Sequence, residues 1–301
     1  MDLRVSIASL SLRHPIMLAS GILGTTPSML IKAYNSGASA VITKSLTMSP
    51  RDGYPNPVIA RVPCGLINAI GLANPGVKNY LDECLEVKDE LTRISVIFSI
   101  AGFSVNEYVK VAELVTEYGI GKALELNLSC PHVEETRLFS EDPKLTAQVV
   151  RAVCDATSLP VFVKVGLTAN ISEVVESAIK HGASAITAIN TIKAMAIDIR
   201  AKKPILAAKY GGLSGPAIKP IALRVIYDLY EEFKVPLIGV GGISSWEDVV
   251  EFLMAGATAI QVGTIVYKRG LRVFKDLLKG LMNFMHNEGF SSLKDLIGIA
   301  H

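Results

Sequence analysis

Eight short apolar runs, rich in β-branched residues, punctuate the chain at residues 16–20, 40–44, 96–100, 123–127, 161–165, 185–190, 236–240 and 259–263. They are continuous rather than alternating, which predicts strands buried on both faces, as in a parallel sheet. Helical patterns lie between most of them and carry start signals. Ser104 with Glu107 and Ser244 with Glu247 fit capping boxes, and Asp142 followed by Pro143 fits an N-cap with proline at the first helical position. The ends repeat as well. Gly37, Gly182 and Gly256 each open a Gly-Ala-Ser/Thr-Ala run that leads from a helix into a strand, where glycine suits the left-handed position after the helix. One βα unit reused eight times predicts a (β/α)8 barrel, an α/β fold spanning residues 1–301 as a single domain. The rival is an open doubly wound sheet, but no GxGxxG opens a helix after the first strand.

Two connections are too long for simple turns. Residues 45–78 are rich in Pro, Gly and Asn and follow the second strand, and residues 192–215 follow the sixth. Both predict coverings over the C-terminal mouth of the barrel, where such enzymes place their chemistry. The strand ends there read Ser20, Lys44, Ser99, Asn127, Lys164 and Asn190, followed by Gly241 with Gly242 and Gly263 with Thr264. Lysines and asparagines ending apolar strands are costly in a dry core without partners, so this polar ring predicts a site. A scatter of solvated strand ends would explain any one of them, but explains the set poorly. Glycines after the last two strands let backbone N–H groups approach an anion, which predicts a phosphate-bearing ligand.

Composition narrows the function. The net charge of +2 leaves no electrostatic footprint for nucleic acid or an anionic membrane. No run of about 18 apolar residues occurs to span a bilayer. Arg and His interrupt the first 21 residues, so no signal peptide is expected and the protein is expected to be cytoplasmic. The cysteines at 64, 84, 130 and 154 form no CxxC pair, so neither a zinc site nor a disulfide is expected and no metal is assigned. Cys84 and Cys154 lie in helical patterns and are expected to be packing residues. Cys130 differs: it follows an apolar run and precedes Pro131, a position from which a scaffold presents a reactive group. His132 is the nearest histidine but lies only two residues on, which does not suggest a papain-like pair. Two chemistries stay open at this point: a thiol base working with a redox cofactor, or Schiff-base chemistry at Lys44 or Lys164, as in a lyase of the same fold.

Seven motifs in order add a resemblance. ASG at 19–21, TKSLT at 43–47, NAIGLANPG at 68–76, ELNLSCPH at 125–132, GGLSGPAIKPIALR at 211–224, GVGGISS at 239–245 and QVGT at 261–264 resemble the dihydroorotate dehydrogenases over nearly the whole chain. The resemblance implies an FMN-containing barrel that oxidises dihydroorotate to orotate in pyrimidine synthesis. A cysteine base is the mark of class 1, whereas the membrane-bound class 2 uses serine. Residues 68–72 and 212–216 look like the 1B branch rather than the fumarate-using 1A branch. That branch passes electrons to NAD through a separate subunit carrying FAD and a 2Fe–2S cluster, in a heterotetramer built on a homodimer. A class 1A-like acceptor and a related FMN dihydropyrimidine dehydrogenase are the neighbouring alternatives.

Carried over by position, the resemblance implies Cys130 as the base. It places Ser20, Lys44, Ser45, Ser99, Asn127, Lys164, Ile189, Gly215, Gly241, Gly242, Gly263 and Thr264 on the flavin. It places Lys44, Asn68, Ala69, Ile70, Gly71, Leu72, Asn127, Asn190 and Thr191 on the substrate. Two departures stand out. Ser99 occupies a position where the family typically shows Asn, and residues 133–143 after the base are charged and lack the usual glycines.

Overall fold

A computed structural model describes residues 1–128 and 139–301. Eight parallel strands close into a barrel in chain order: Ile16–Leu18, Val41–Ile42, Val96–Ile100, Ala123–Asn127, Val161–Val165, Ala185–Ala188, Leu237–Val240 and Ala259–Val262. Every predicted run holds a strand, trimmed by up to two residues at either end, because the outermost residues turn into the loops that carry the polar groups. The fold is a (β/α)8 TIM barrel. The runs are continuous because both strand faces are buried: all five residues of Val96–Ile100 and all five of Val161–Val165 are inaccessible or nearly so.

Helices follow each strand and lay one apolar stripe on the barrel. Ile171–Lys180 is representative, burying Val174, Val175 and Ala178 at helical spacing. Fully buried Phe98, Phe162, Phe252 and Phe274 contribute about 1.5–3 kcal/mol each through the area they remove from water. The predicted caps fare unequally. Asp142 caps Pro143–Ala156 through the N–H groups of Lys144 and Leu145. Ser104 caps Val105–Tyr118 through Glu107 N–H, but the Glu107 carboxylate reaches back to Phe103 N–H instead of closing the box on Ser104. The box anticipated at Ser244 and Glu247 is formed one residue later, by Ser245 and Asp248, because the helix begins at Trp246. Gly37, Gly182 and Gly256 hold φ of +121°, +110° and +106°, which accounts for the repeated glycine.

The two long connections are not loops throughout. Their strands Ile192–Ala194, Gly211–Ser214, Gly65–Asn68 and Ile59–Val62 pair in that order as one antiparallel sheet. It has its own small core of Ala60, Ile67, Ala69 and Leu206, separate from the main one. Segments remote in sequence thus form one cover on the C-terminal side. A short hairpin, Val5–Ile7 with Leu10–Leu12, leads into the first strand from the opposite end and adds Val5, Ile7, Leu10 and Leu12 to the main core.

Candidate active site

Between the barrel mouth and this covering sheet lies a cavity of about 730 Å³. Its size falls within the range of small-molecule and cofactor pockets, roughly 300–1,000 Å³. Every residue singled out for flavin or substrate from the sequence lines it. Cys130 lies outside the described residues, as do His132 and residues 133–138 of the loop that follows.

One end is a polar relay built on strand ends. Asn190 Nδ2 donates to Asn127 Oδ1 at 3.3 Å, and Asn127 Nδ2 donates to Ser45 Oγ at 3.0 Å. Ser45 Oγ lies 2.9 Å from Ser99 Oγ. These groups come from four different strands or the residues just beyond them, so barrel geometry alone fixes their spacing. Ser99 is wholly buried and spends its hydroxyl on Ser45. Asn68 on the covering sheet donates to Gly212 O on the neighbouring strand of the same sheet at 3.2 Å. Residues 69–72 continue from Asn68 along the wall, with Gly71 and Leu72 at φ of +73° and +57°. Ser20 Oγ donates to Thr43 O at 2.8 Å and anchors the first strand's end to the second.

Lys44 and Lys164 bring two cations to the cavity. Lys164 is only 7% exposed, and its Nζ donates to Gln261 Oε1 at 3.1 Å. Glu125, fully buried beneath, stands 3.6 Å from the same ammonium. Such an arrangement suits a fixed cation more than a mobile nucleophile.

The other end is a glycine cradle. Gly241 and Gly242 hold φ of +128° and +81°, and a Cβ on Gly242 would stand 2.7 Å from Lys219 N. Gly215, at φ +98°, passes so close to Gly65 that a Cβ would lie 2.9 Å from its Cα. Gly263 differs: a Cβ there would meet nothing closer than 3.6 Å. Neighbouring protein atoms therefore leave the Cβ position at 263 unfilled, on the border of the cavity. Thr264 Oγ1 donates to Ser214 Oγ at 2.8 Å beside it. The turn is braced from behind by Asp248, whose Oδ2 accepts from Ser244 N at 2.7 Å and Ser245 N at 2.9 Å, and whose Oδ1 takes Lys219 Nζ at 2.8 Å. Burial alone would raise the Asp248 carboxyl, yet these donors hold it below the ordinary aspartate value.

Sequence reasoning missed several lining groups. Gln261 and Ser214 lie inside recognised motifs and could have been named. Arg61, whose guanidinium bonds the Tyr267 hydroxyl, joins the lid to the helix Thr264–Arg269 and had no local signal. The other described thiols do not compete with Cys130 for a chemical role in the cavity. Burial pushes Cys84 up to about 12 and Cys154 up to about 11, and both sit on helices as anticipated. Cys64 is exposed and does not line the cavity.

Comparison with known proteins decides the family. A sequence model of dihydroorotate dehydrogenase matches residues 2–285. The chain belongs to the dihydroorotate dehydrogenase family. Within it, the chain is 46% identical over 304 residues to the dihydroorotate dehydrogenase B (NAD(+)) catalytic subunit of Pyrococcus furiosus, covering 100% of this chain and 99% of that one. The proteins of the same description from Methanocaldococcus jannaschii and Thermoplasma acidophilum are 45% and 44% identical, each covering 99% of this chain and 98% or 99% of its own. Dihydroorotate dehydrogenases are flavin-dependent oxidoreductases. No helix among the described residues is long and apolar enough to cross a membrane.

Proposed function

We propose that this chain is the catalytic subunit of an NAD-linked dihydroorotate dehydrogenase, oxidising (S)-dihydroorotate to orotate for pyrimidine synthesis with FMN as its flavin. The observation that carries this reading is one continuous cavity with a glycine cradle at one end and an amide-and-lysine ring at the other. The fit to FMN is supported by Gly263, which borders the cavity and where an added Cβ would meet no protein atom closer than 3.6 Å.

In this reading Gly215, Gly241, Gly242, Gly263 and Thr264 hold the phosphate through backbone N–H groups and one hydroxyl. Ser20, Lys44, Ser45, Ser99, Asn127, Lys164 and Ile189 hold the ring system. When bound, the flavin supplies the hydride acceptor that no side chain can supply. The carboxamides of Asn68, Asn127 and Asn190, with Thr191 and residues 69–72, match the donors and acceptors of a dihydropyrimidine ring. Lys44 faces the substrate carboxylate as a counter-charge. Cys130 removes the proton from ring carbon 5, and the covering sheet keeps water from the carbon that it leaves.

The relatives are described as catalytic subunits, which supports a heteromer. We assign the partner as an iron–sulfur FAD subunit that passes electrons to NAD, on a homodimeric core in the cytoplasm. Among the described residues no group of three or more His, Cys, Asp or Glu could hold a metal. The test is steady-state oxidation of dihydroorotate by the purified chain with an artificial dye as acceptor. Orotate should form with catalytic turnover; a flavin-loaded chain that reduces no dye with this substrate would remove the assignment.

A further inference from the structure

Beneath the cavity floor lies a polar cluster that the reaction just described does not use. Glu125 precedes Asn127 by two positions on the fourth strand, so both side chains enter the barrel, Glu125 one layer lower. Its Oε2 accepts from Thr187 Oγ1 at 3.1 Å and from Gln261 Nε2 at 2.5 Å. Its Oε1 accepts no hydrogen bond among the described residues and faces Lys164 Nζ at 3.6 Å. Glu125, Thr187 and Gln261 come from the fourth, sixth and eighth strands, an alternate-strand layer of a packed barrel. Such layers are normally filled by branched apolar side chains. A buried ion pair is poor value as a stabiliser, since well-packed apolar residues serve as well or better. What the carboxylate does have is a link upward. Lys164 and Gln261 both line the cavity, while Glu125 and Thr187 do not.

We propose that Glu125 is a positioning residue: with Gln261 it fixes the Lys164 ammonium at the cavity floor and sets how strongly that cation favours negative charge on a bound flavin. The inference rests on the reading that the flavin ring lies against Lys164. An anionic reduced flavin carries one more negative charge than the oxidised form. The Lys164 cation therefore favours reduction, and the Glu125 carboxylate partly offsets it. Removing that carboxylate's charge leaves Lys164 less compensated and moves the equilibrium toward the reduced flavin.

The readout is the midpoint potential of the flavin in the holoprotein, measured against a reference dye, with flavin content measured in parallel. Glu125→Gln keeps the side chain's size and should favour the reduced form about tenfold, roughly 30 mV for a two-electron couple. Glu125→Asp, which withdraws the carboxylate but keeps its charge, should shift it about threefold the same way, by the same scale. It is also the deciding variant should Glu125→Gln fail to fold. In a Lys164→Met background the buried carboxylate has no cation and neutralises, so Glu125→Gln should then change the equilibrium by less than about threefold. Flavin-loaded wild type and variants with one potential, or an equal shift with and without Lys164, would overturn the inference alone. A chain that binds no flavin would overturn the functional reading and this inference with it.

Discussion

Gly263 offers a way to separate ligand space from folding space. Its ideal Cβ would lie 3.6 Å from Ala19 Cβ and 3.7 Å from Ile22 Cγ1, ordinary contact distances, and it borders the cavity. Gly263→Ala should therefore change the stability of the flavin-free chain by no more than about 1 kcal/mol, the methyl's effect on the unfolded chain included. The same methyl would stand where the proposed phosphate end sits. Overfilling a packed site costs about 1–3 kcal/mol, which weakens flavin binding roughly 5- to 150-fold. Gly242→Ala is the contrast. At φ +81°, with its Cβ 2.7 Å from Lys219 N, it should lose at least about 1–2 kcal/mol of fold stability before any ligand is added. Titration of flavin-free protein with FMN, followed by quenching of flavin fluorescence, gives the affinities, and thermal melts of the same samples give the stabilities. If Gly263→Ala binds FMN as tightly as wild type while melting normally, the cradle is not where the ligand lies.

Three further outcomes follow from the chemistry and the burial. Cys130→Ala should leave the protein folded and flavin-bound while flavin reduction by dihydroorotate slows by roughly two to four decades; Cys130→Ser should keep part of the rate, shifted to higher pH. A free thiol has a pKa of about 8.5, so a thiolate base predicts a wild-type rate that rises from about pH 6 to 9, and a flat stopped-flow profile would argue against it. His14 is buried and pushed down to about 4, by burial first and then by Arg13. Its depressed folded value means that the unfolded chain takes the proton first, so stability is full above about 6.5 and falls by roughly 3 kcal/mol as pH drops to about 4. Urea titrations of wild type and His14→Gln should converge by that amount across the window; parallel curves would refute the assignment. The isolated chain should reduce artificial dyes readily but NAD poorly until an iron–sulfur FAD subunit is added, whereas fast fumarate reduction by the chain alone would place it on the other branch.

The barrel was legible because its strands are buried on both faces, which writes each as an unbroken apolar run that needs no partner to be recognised. Its polar mouth was legible for the same reason, since Lys44, Asn127, Lys164 and Asn190 interrupt or end runs that are otherwise apolar. The covering sheet was not. Gly65–Asn68 pairs with Gly211–Ser214 across most of the barrel, and strands of three or four residues gain their stability from that distant pairing and from Leu206, not from a local pattern. The capping box at Ser244 slipped by one because two serines in succession both satisfy the motif, and only the helix start at Trp246 chooses between them. Glu125 was passed over as part of an apolar run. A single acid inside a strand two positions before a site asparagine, matched by a lysine on the next strand, is a signal that the sequence does carry. Gln261 lies in a recognised motif, but its pairing with Glu125 across the barrel is set only by the closed fold.

Hydride transfer from dihydroorotate to a flavin in this cavity can be observed directly. The direct test is anaerobic mixing of the purified, FMN-loaded chain with one equivalent of dihydroorotate, with the visible flavin band and the orotate formed recorded together. The protein should be yellow and its band should bleach on mixing, with orotate and reduced flavin appearing in equal amounts. A chain that takes up no FMN, or a loaded one whose flavin stays oxidised with excess dihydroorotate, would contradict it.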